Sequence, residues 1–189
     1  MKPAALLSGL GLLALLWAAP LESWLPAFPV HMLRHMGLVA VAAPLLVLGL
    51  PGIARHIALQ PLPAAALEFV VVWAWHLPAA HGLGRAGPTG FALEQASFLA
   101  VGALVWAGCL HAGSALAGAG GLLLTSMHMT LLGALLILAP RDLYAGICGT
   151  APDLTGQQAG GMLMLAIGTP VYLLGGLLLT GRALAEEPA

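Results

Sequence analysis

Residues 31–36 read His-Met-Leu-Arg-His-Met and open an apolar run that continues to Leu50. An i,i+4 spacing on a helix puts His31 and His35 on one face, with Met32 and Met36 stacked just beside them. Imidazole and thioether together are a ligand set for copper, and thioether favours the soft Cu(I) ion. A second apolar run ends in Trp73-Ala74-Trp75-His76-Leu77-Pro78, and a later one carries Met127-His128-Met129 near its middle. The expected metal residues are therefore His31, His35, His76, Met32, Met36 and His128. Of these, His128 is either a second ligand position or a separate polar feature.

The elements that must position these residues are membrane helices. The chain has 189 residues, of which 60% are apolar and 7% charged, against about 25% charged in a soluble domain. Only a bilayer tolerates so few charges. The formal net charge is −1, which argues against a nucleic-acid partner. Two cysteines, Cys109 and Cys148, lie far apart with no CxxC, so neither a disulfide framework nor a cysteine zinc site follows. Cys148 reads as a free thiol in a loop.

A span needs about 20 apolar residues. This rule gives an all-α, polytopic helix bundle with about six transmembrane helices, near 4–20, 30–50, 62–80, 91–111, 121–140 and 159–181. One integral membrane domain, 1–189, accounts for all of them. The first could be a cleaved signal peptide, with Lys2 before it and Ala18-Ala19 at its end; we read it as a retained helix. The Gly-Gly pairs at 120–121, 160–161 and 175–176 allow close helix approach and suit a homodimer.

Positive charge orients the chain. With the N-terminus cytoplasmic, Lys2, Arg55 and Arg182 lie inside, and Arg85 and Arg141 outside. His31 then sits at the outer surface and His35 about 6 Å deeper. His76 ends the third span on the same side, and Glu94 and Gln95 begin the fourth there. Span alternation alone thus collects polar groups from three helices in one shallow layer, whichever side is outside. His128 falls about 10 Å deeper than His35. Glu68 is a buried acid with no obvious partner, and such groups are usually functional or paired. Arg34 snorkels or pairs with Glu94.

Each residue also has a plainer reading. His31 and His35 suit the membrane interface, His76 an aromatic belt with Trp73 and Trp75, and His128 a hydrogen-bonded core. The methionines suit packing. Glu94 reads as Arg34's partner or a helix N-terminal acid before it reads as a ligand. His56, His81 and His111 are expected in solvated loops.

The run from His31 through Ala43-Pro44-Leu45-Leu46-Val47-Leu48-Gly49-Leu50-Pro51 resembles the CtaG-type cytochrome c oxidase assembly proteins. So do Trp75-His76-Leu77-Pro78, Leu93-Glu94-Gln95-Ala96-Ser97-Phe98, Leu132-Gly133-Ala134-Leu135-Leu136 with Leu143-Tyr144, and Gln157-Gln158-Ala159-Gly160-Gly161-Met162. The likeness covers about residues 30 to 175, in order. The chain departs from the pattern at Gly156, where members often carry an acid, and at Arg34, a commonly uncharged place. The resemblance implies a multi-pass protein of the bacterial inner (plasma) membrane that helps install copper in haem–copper oxidases. It implies copper as the ligand of His31, His35 and His76, and an oxidase subunit as the copper acceptor.

The resulting expectation is a copper-binding factor that delivers or inserts copper during oxidase assembly, with its site toward the periplasmic side. One alternative is a b-type haem cytochrome using His35, His76 or His128. Another is a copper transporter with Glu68 and His128 on its inner path. No GxSxG, HExxH, P-loop or dinucleotide fingerprint is present, so an enzyme is not expected.

Overall fold

The computed structural model describes residues 2–147 and 151–186; Cys148 lies outside them. The described residues are helical, in the order α1 (Pro3–Ala18), a 3-10 turn (Leu21–Ser23), α2 (Ala27–Met36), a π-helical segment (Gly37–Ala42), α3 (Ala43–Gly49), α4 (Pro51–Ile57), α5 (Pro61–His76), α6 (Pro78–Arg85), α7 (Pro88–Leu110), α8 (Ala115–Leu138) and α9 (Leu154–Glu186). Proline stands in the first turn of α1, α3, α4, α5, α6 and α7. Its fixed φ suits that position, and its missing N–H is one the helix would leave unbonded there.

Among the described residues, four helical stretches are long and apolar enough to cross a membrane: Ala27–Gly49, Pro88–Leu110, Ala115–Leu138 and Leu154–Ala185. The pair α4 and α5, bent by 86° at its break, makes a fifth. The bundle is therefore polytopic, as the sequence indicates, but its first and third spans differ from the sequence reading. The stretch read as 4–20 is only the 16 residues of α1, about 24 Å at 1.5 Å per residue. The stretch read as 62–80 stops at His76, because Pro78 cannot donate to the helix and starts α6 instead.

α1 buries a stripe of Gly9, Leu13 and Leu16. Gly9 lies against Leu46, where a Cβ would be 3.1 Å from Leu46 Cδ2, and Leu16 covers Gly37 of the π segment. α8 and α9 run alongside each other with Gly133 facing Gly161. A Cβ at Gly161 would lie 2.7 Å from the Gly133 carbonyl oxygen, so any side chain there forces the helices apart. Gly175 lies against Leu122 and Trp106, and Gly176 against Leu123. Pro170 interrupts α9, and α8 serves the backbone nearby: Ser126 Oγ donates to the Thr169 carbonyl at 3.5 Å, and the Thr130 and Thr169 hydroxyls are 2.7 Å apart.

The π segment follows from Pro44. The Ala43 N–H bonds to the Leu38 carbonyl, five residues back. The next bond of that series would run from residue 44 to Val39, and proline has no N–H to give. Val39 O instead accepts from a side chain of another helix, Trp106 Nε1 at 3.0 Å, while the Tyr172 oxygen lies 3.2 Å away and gives its single hydrogen to Glu68. In a bilayer a backbone acceptor left without such partners costs several kcal/mol, roughly. One proline thereby ties α7 to the centre of the second helix.

Arg34 does not pair with Glu94. Its Nε donates to the Leu16 carbonyl at 3.0 Å, its Nη1 donates to Glu22, and its guanidinium lies 5.8 Å from the Phe91 ring centroid. This charge fastens α1 and the 3-10 turn to α2. The Arg34 hydrogen bond holds the Glu22 carboxyl below its ordinary value of 4.5. A lowered folded-state value contributes stability above the unfolded value, and that stability is lost as pH falls through the folded one. Glu22 is 54% exposed, so solvent screening limits the contribution to about 0.2–1 kcal/mol. Wild type is expected to exceed Glu22→Gln in unfolding stability at pH 7, with the gap closing as pH drops below 4.5; a pH-independent gap would contradict this pairing.

Candidate metal centre

α2 begins, α5 ends and α7 begins at one end of the bundle, and their polar residues meet there. His31 and His35 point from α2 toward Glu94 of α7. Glu94 Oε1 lies 3.3 Å from His31 Nε2 and 3.5 Å from His35 Nε2. Both are ion-pair distances without hydrogen-bond alignment, so neither carboxylate oxygen of Glu94 has a hydrogen bond among the described residues. Glu94 is 0% exposed. The His31 and His35 rings stack edge-on at 4.1 Å between centroids, and the His35 and His76 rings lie 5.8 Å apart. Phe98, one turn beyond Glu94, stacks flat on His35 at 3.8 Å and 15°. That contact fixes the ring plane of His35 from below.

The backbone fixes the state of His76. Its Nδ1 lies 2.7 Å from the Val72 carbonyl, which can only accept, so Nδ1 carries the hydrogen. In the neutral ring this leaves the lone pair of Nε2 available, and Nε2 is buried without a partner among the described residues. This is how ligand histidines are oriented, by a hydrogen bond on the other nitrogen. The Tyr144 hydroxyl donates to the His76 carbonyl at 2.9 Å, closing the frayed end of α5.

His81 is the residue that sequence reasoning missed. It lies on α6 and is 1% exposed, where a solvated loop position was expected. Pro78 ends α5 and re-aims the chain, so residues 76 and 81 come to one place across a helix break. The His81 ring lies 4.6 Å from that of His31 and 4.5 Å from that of Tyr144, with Phe28 at 5.8 Å. Burial in this aromatic surround pushes its pKa down to about 3, so it is neutral at pH 7, the form that ligates metals. Ligand atoms of His31, His81 and Glu94 all lie within 4.8 Å of one another. α6 reaches this close through Gly84, where a Cβ would be 2.9 Å from Glu94 Oε1. The sequence signal was the small-residue run Ala79-Ala80-His81-Gly82, too short and too polar to read as a span.

The other candidates are distributed differently. His56 is exposed on α4, and His111, half-buried at the end of α7, bonds the Ala107 carbonyl through Nδ1 at 3.0 Å. Met32 and Met36 are buried on the α9 side of the second helix. A Cβ at Gly160 would be 2.8 Å from Met32 Cγ, and one at Gly168 would be 3.3 Å from Met36 Sδ. The thioethers thus pack against α9 while the imidazoles face α7. Met127 and Met162 are exposed on the outer surface. His128 joins Glu68 in a separate, deeper group, with Nε2 and Oε2 3.9 Å apart.

A family model described as cytochrome c oxidase caa3 assembly factor (Caa3_CtaG) matches residues 1–186. The chain belongs to this family. No curated protein and no solved structure matches it. Membership gives this assembly factor a role in building a cytochrome c oxidase, with the oxidase as its partner and the bilayer as its surroundings. The match spans every element described above, α1 and α9 included.

The geometry fixes a tautomer that can be observed. In metal-free protein, nitrogen-15 NMR of labelled histidines is expected to find His76 protonated at Nδ1 with a bare Nε2. The opposite tautomer would mean that the Val72 bond does not orient the ring.

Proposed function

We propose that this assembly factor binds copper as cargo and passes it to a cytochrome c oxidase subunit. The observation that carries the reading is the meeting of His31, His81 and Glu94 ligand atoms within 4.8 Å beside His35 and His76, with His31 Nε2, His35 Nε2, His76 Nε2 and both Glu94 carboxylate oxygens buried without a hydrogen-bond partner among the described residues. Groups of this polarity are costly to bury bare, and a bound cation supplies the missing partner. Four imidazoles and one carboxylate suit copper or zinc better than Mg(II) or Ca(II), which prefer all-oxygen sets. For Cu(I), one carboxylate also leaves the buried site neutral overall, the cheapest state within a membrane.

His31, His35 and His76 are the ligands expected from the sequence, and His81 and Glu94 complete the set. Met32 and Met36 pack the second helix against α9. Phe98 and the Val72 carbonyl hold two of the rings, so the site is preorganised, while α6 carries His81 on a short helix at the bundle end. An ion entering from that end meets His81 and His31 first. In the orientation given by Lys2, Arg55 and Arg182, that end faces the periplasm of a bacterial plasma membrane. The role is binding and transfer of an ion, with no bond chemistry assigned to the chain.

The same packing argues against a b-type haem. The imidazole centroids are 4.1–5.8 Å apart with Phe98 flat on His35, which leaves no slot for a porphyrin between them. Copper analysis of purified protein tests the proposal. Wild type is expected to carry copper at this site, with His31→Ala, His76→Ala and Glu94→Gln each weakening it at least tenfold while Met32→Leu leaves it bound. Retention of full copper occupancy in both histidine variants would overturn the assignment.

A further inference from the structure

The deeper polar group is distinct from the centre at the bundle end. Glu68 lies eight residues before His76 on α5, about 12 Å along the axis, and Val72 and Phe98, both buried, occupy the layer between. Glu68 is 0% exposed. The Tyr172 hydroxyl donates to its Oε1 at 2.8 Å. Tyr172 has its hydrogen available for this because Trp106, stacked on it at 5.3 Å, already donates to Val39 O. Thr125 lies beside the same carboxyl group.

The other oxygen, Glu68 Oε2, has no hydrogen-bond partner among the described residues, and neither has either nitrogen of His128. Oε2 and His128 Nε2 face each other at 3.9 Å. That is too long for a direct hydrogen bond, whose upper range is about 3.2 Å. It matches a two-coordinate ion: metal–nitrogen and metal–oxygen bonds of about 2 Å each span about 4 Å end to end. Phe69 sets its edge against the His128 ring at 5.4 Å, which steadies the imidazole that points at the carboxylate.

We propose that Glu68 and His128 form a second cation site, in mid-membrane, for one monovalent ion that accepts an imidazole ligand. One carboxylate balances one positive charge, and a divalent ion there would leave a net charge in the hydrocarbon layer, where charge is expensive. Alkali ions are hard and oxygen-seeking, whereas Cu(I) and its redox-inert counterpart Ag(I) take imidazole. The ion's identity as Cu(I) rests on the copper reading of the bundle-end centre; the site itself rests on the Glu68–His128 geometry alone.

The test is titration of the full purified chain with Cu(I) and with Ag(I) against a competing chelator. Glu68→Gln keeps an acceptor for Tyr172, and His128→Asn is the second variant; gel filtration and thermal melting establish that each is folded. Wild type is expected to bind two equivalents, each of these variants one, and His31→Ala with Glu94→Gln the other one. If folded Glu68→Gln and His128→Asn both bind as many equivalents as wild type, the second site is overturned and the bundle-end centre stands. If instead these variants lose an equivalent and the His31→Ala, Glu94→Gln protein loses none, the second site stands and the bundle-end centre falls. A wild type that binds neither ion overturns both.

Discussion

Glu94 is a carboxylate with no exposed surface, set in the second turn of an apolar helix and faced by imidazoles on ion-pair terms. The rest of the bundle end is arranged around that constraint. A charge at this depth is costly to leave bare, and the chain gathers imidazoles beside it from three other places: His31 and His35 on α2, His76 at the end of α5, and His81 on α6. Gly84 gives α6 the room to approach. Phe98 and Tyr144 then wall the group off from lipid and water. Ligand atoms of His31, His81 and Glu94 come within 4.8 Å of one another there, with His35 and His76 alongside.

The same accounting explains the middle of the bundle. Pro44 leaves the Val39 carbonyl without a backbone donor, and Trp106 supplies the hydrogen. Tyr172 in turn holds one oxygen of Glu68. A single missing N–H in the second helix is thus answered from α7, while Tyr172 of α9 joins α5 through Glu68. The two polar layers are separated by the buried Val72 and Phe98.

Much of this was legible in the sequence, for reasons that can be named. Helix periodicity put His31 and His35 on one face. Span alternation placed His76 and Glu94 at the same depth, because antiparallel helices bring the end of one beside the start of the next. Other features depended on information that linear patterns do not carry. Adjacent helix residues diverge by about 100°, enough to turn Met32 and Met36 to α9 while the histidines face α7. His81 was read as solvated because Pro78 ends the periodic pattern, and the following helix is short. Arg34 was matched to Glu94 by depth, yet its true partner, Glu22, sits in a turn between helices, where no period applies.

The central claim is that buried imidazoles and a carboxylate, rather than the His-Met repeat as such, make the metal centre. X-ray absorption spectroscopy of the copper-loaded chain tests it most directly. The account predicts a first shell of nitrogen and oxygen scatterers, with the outer-shell signature of several imidazoles. A first shell dominated by sulfur would contradict it, because Met32 and Met36 would then be the ligands.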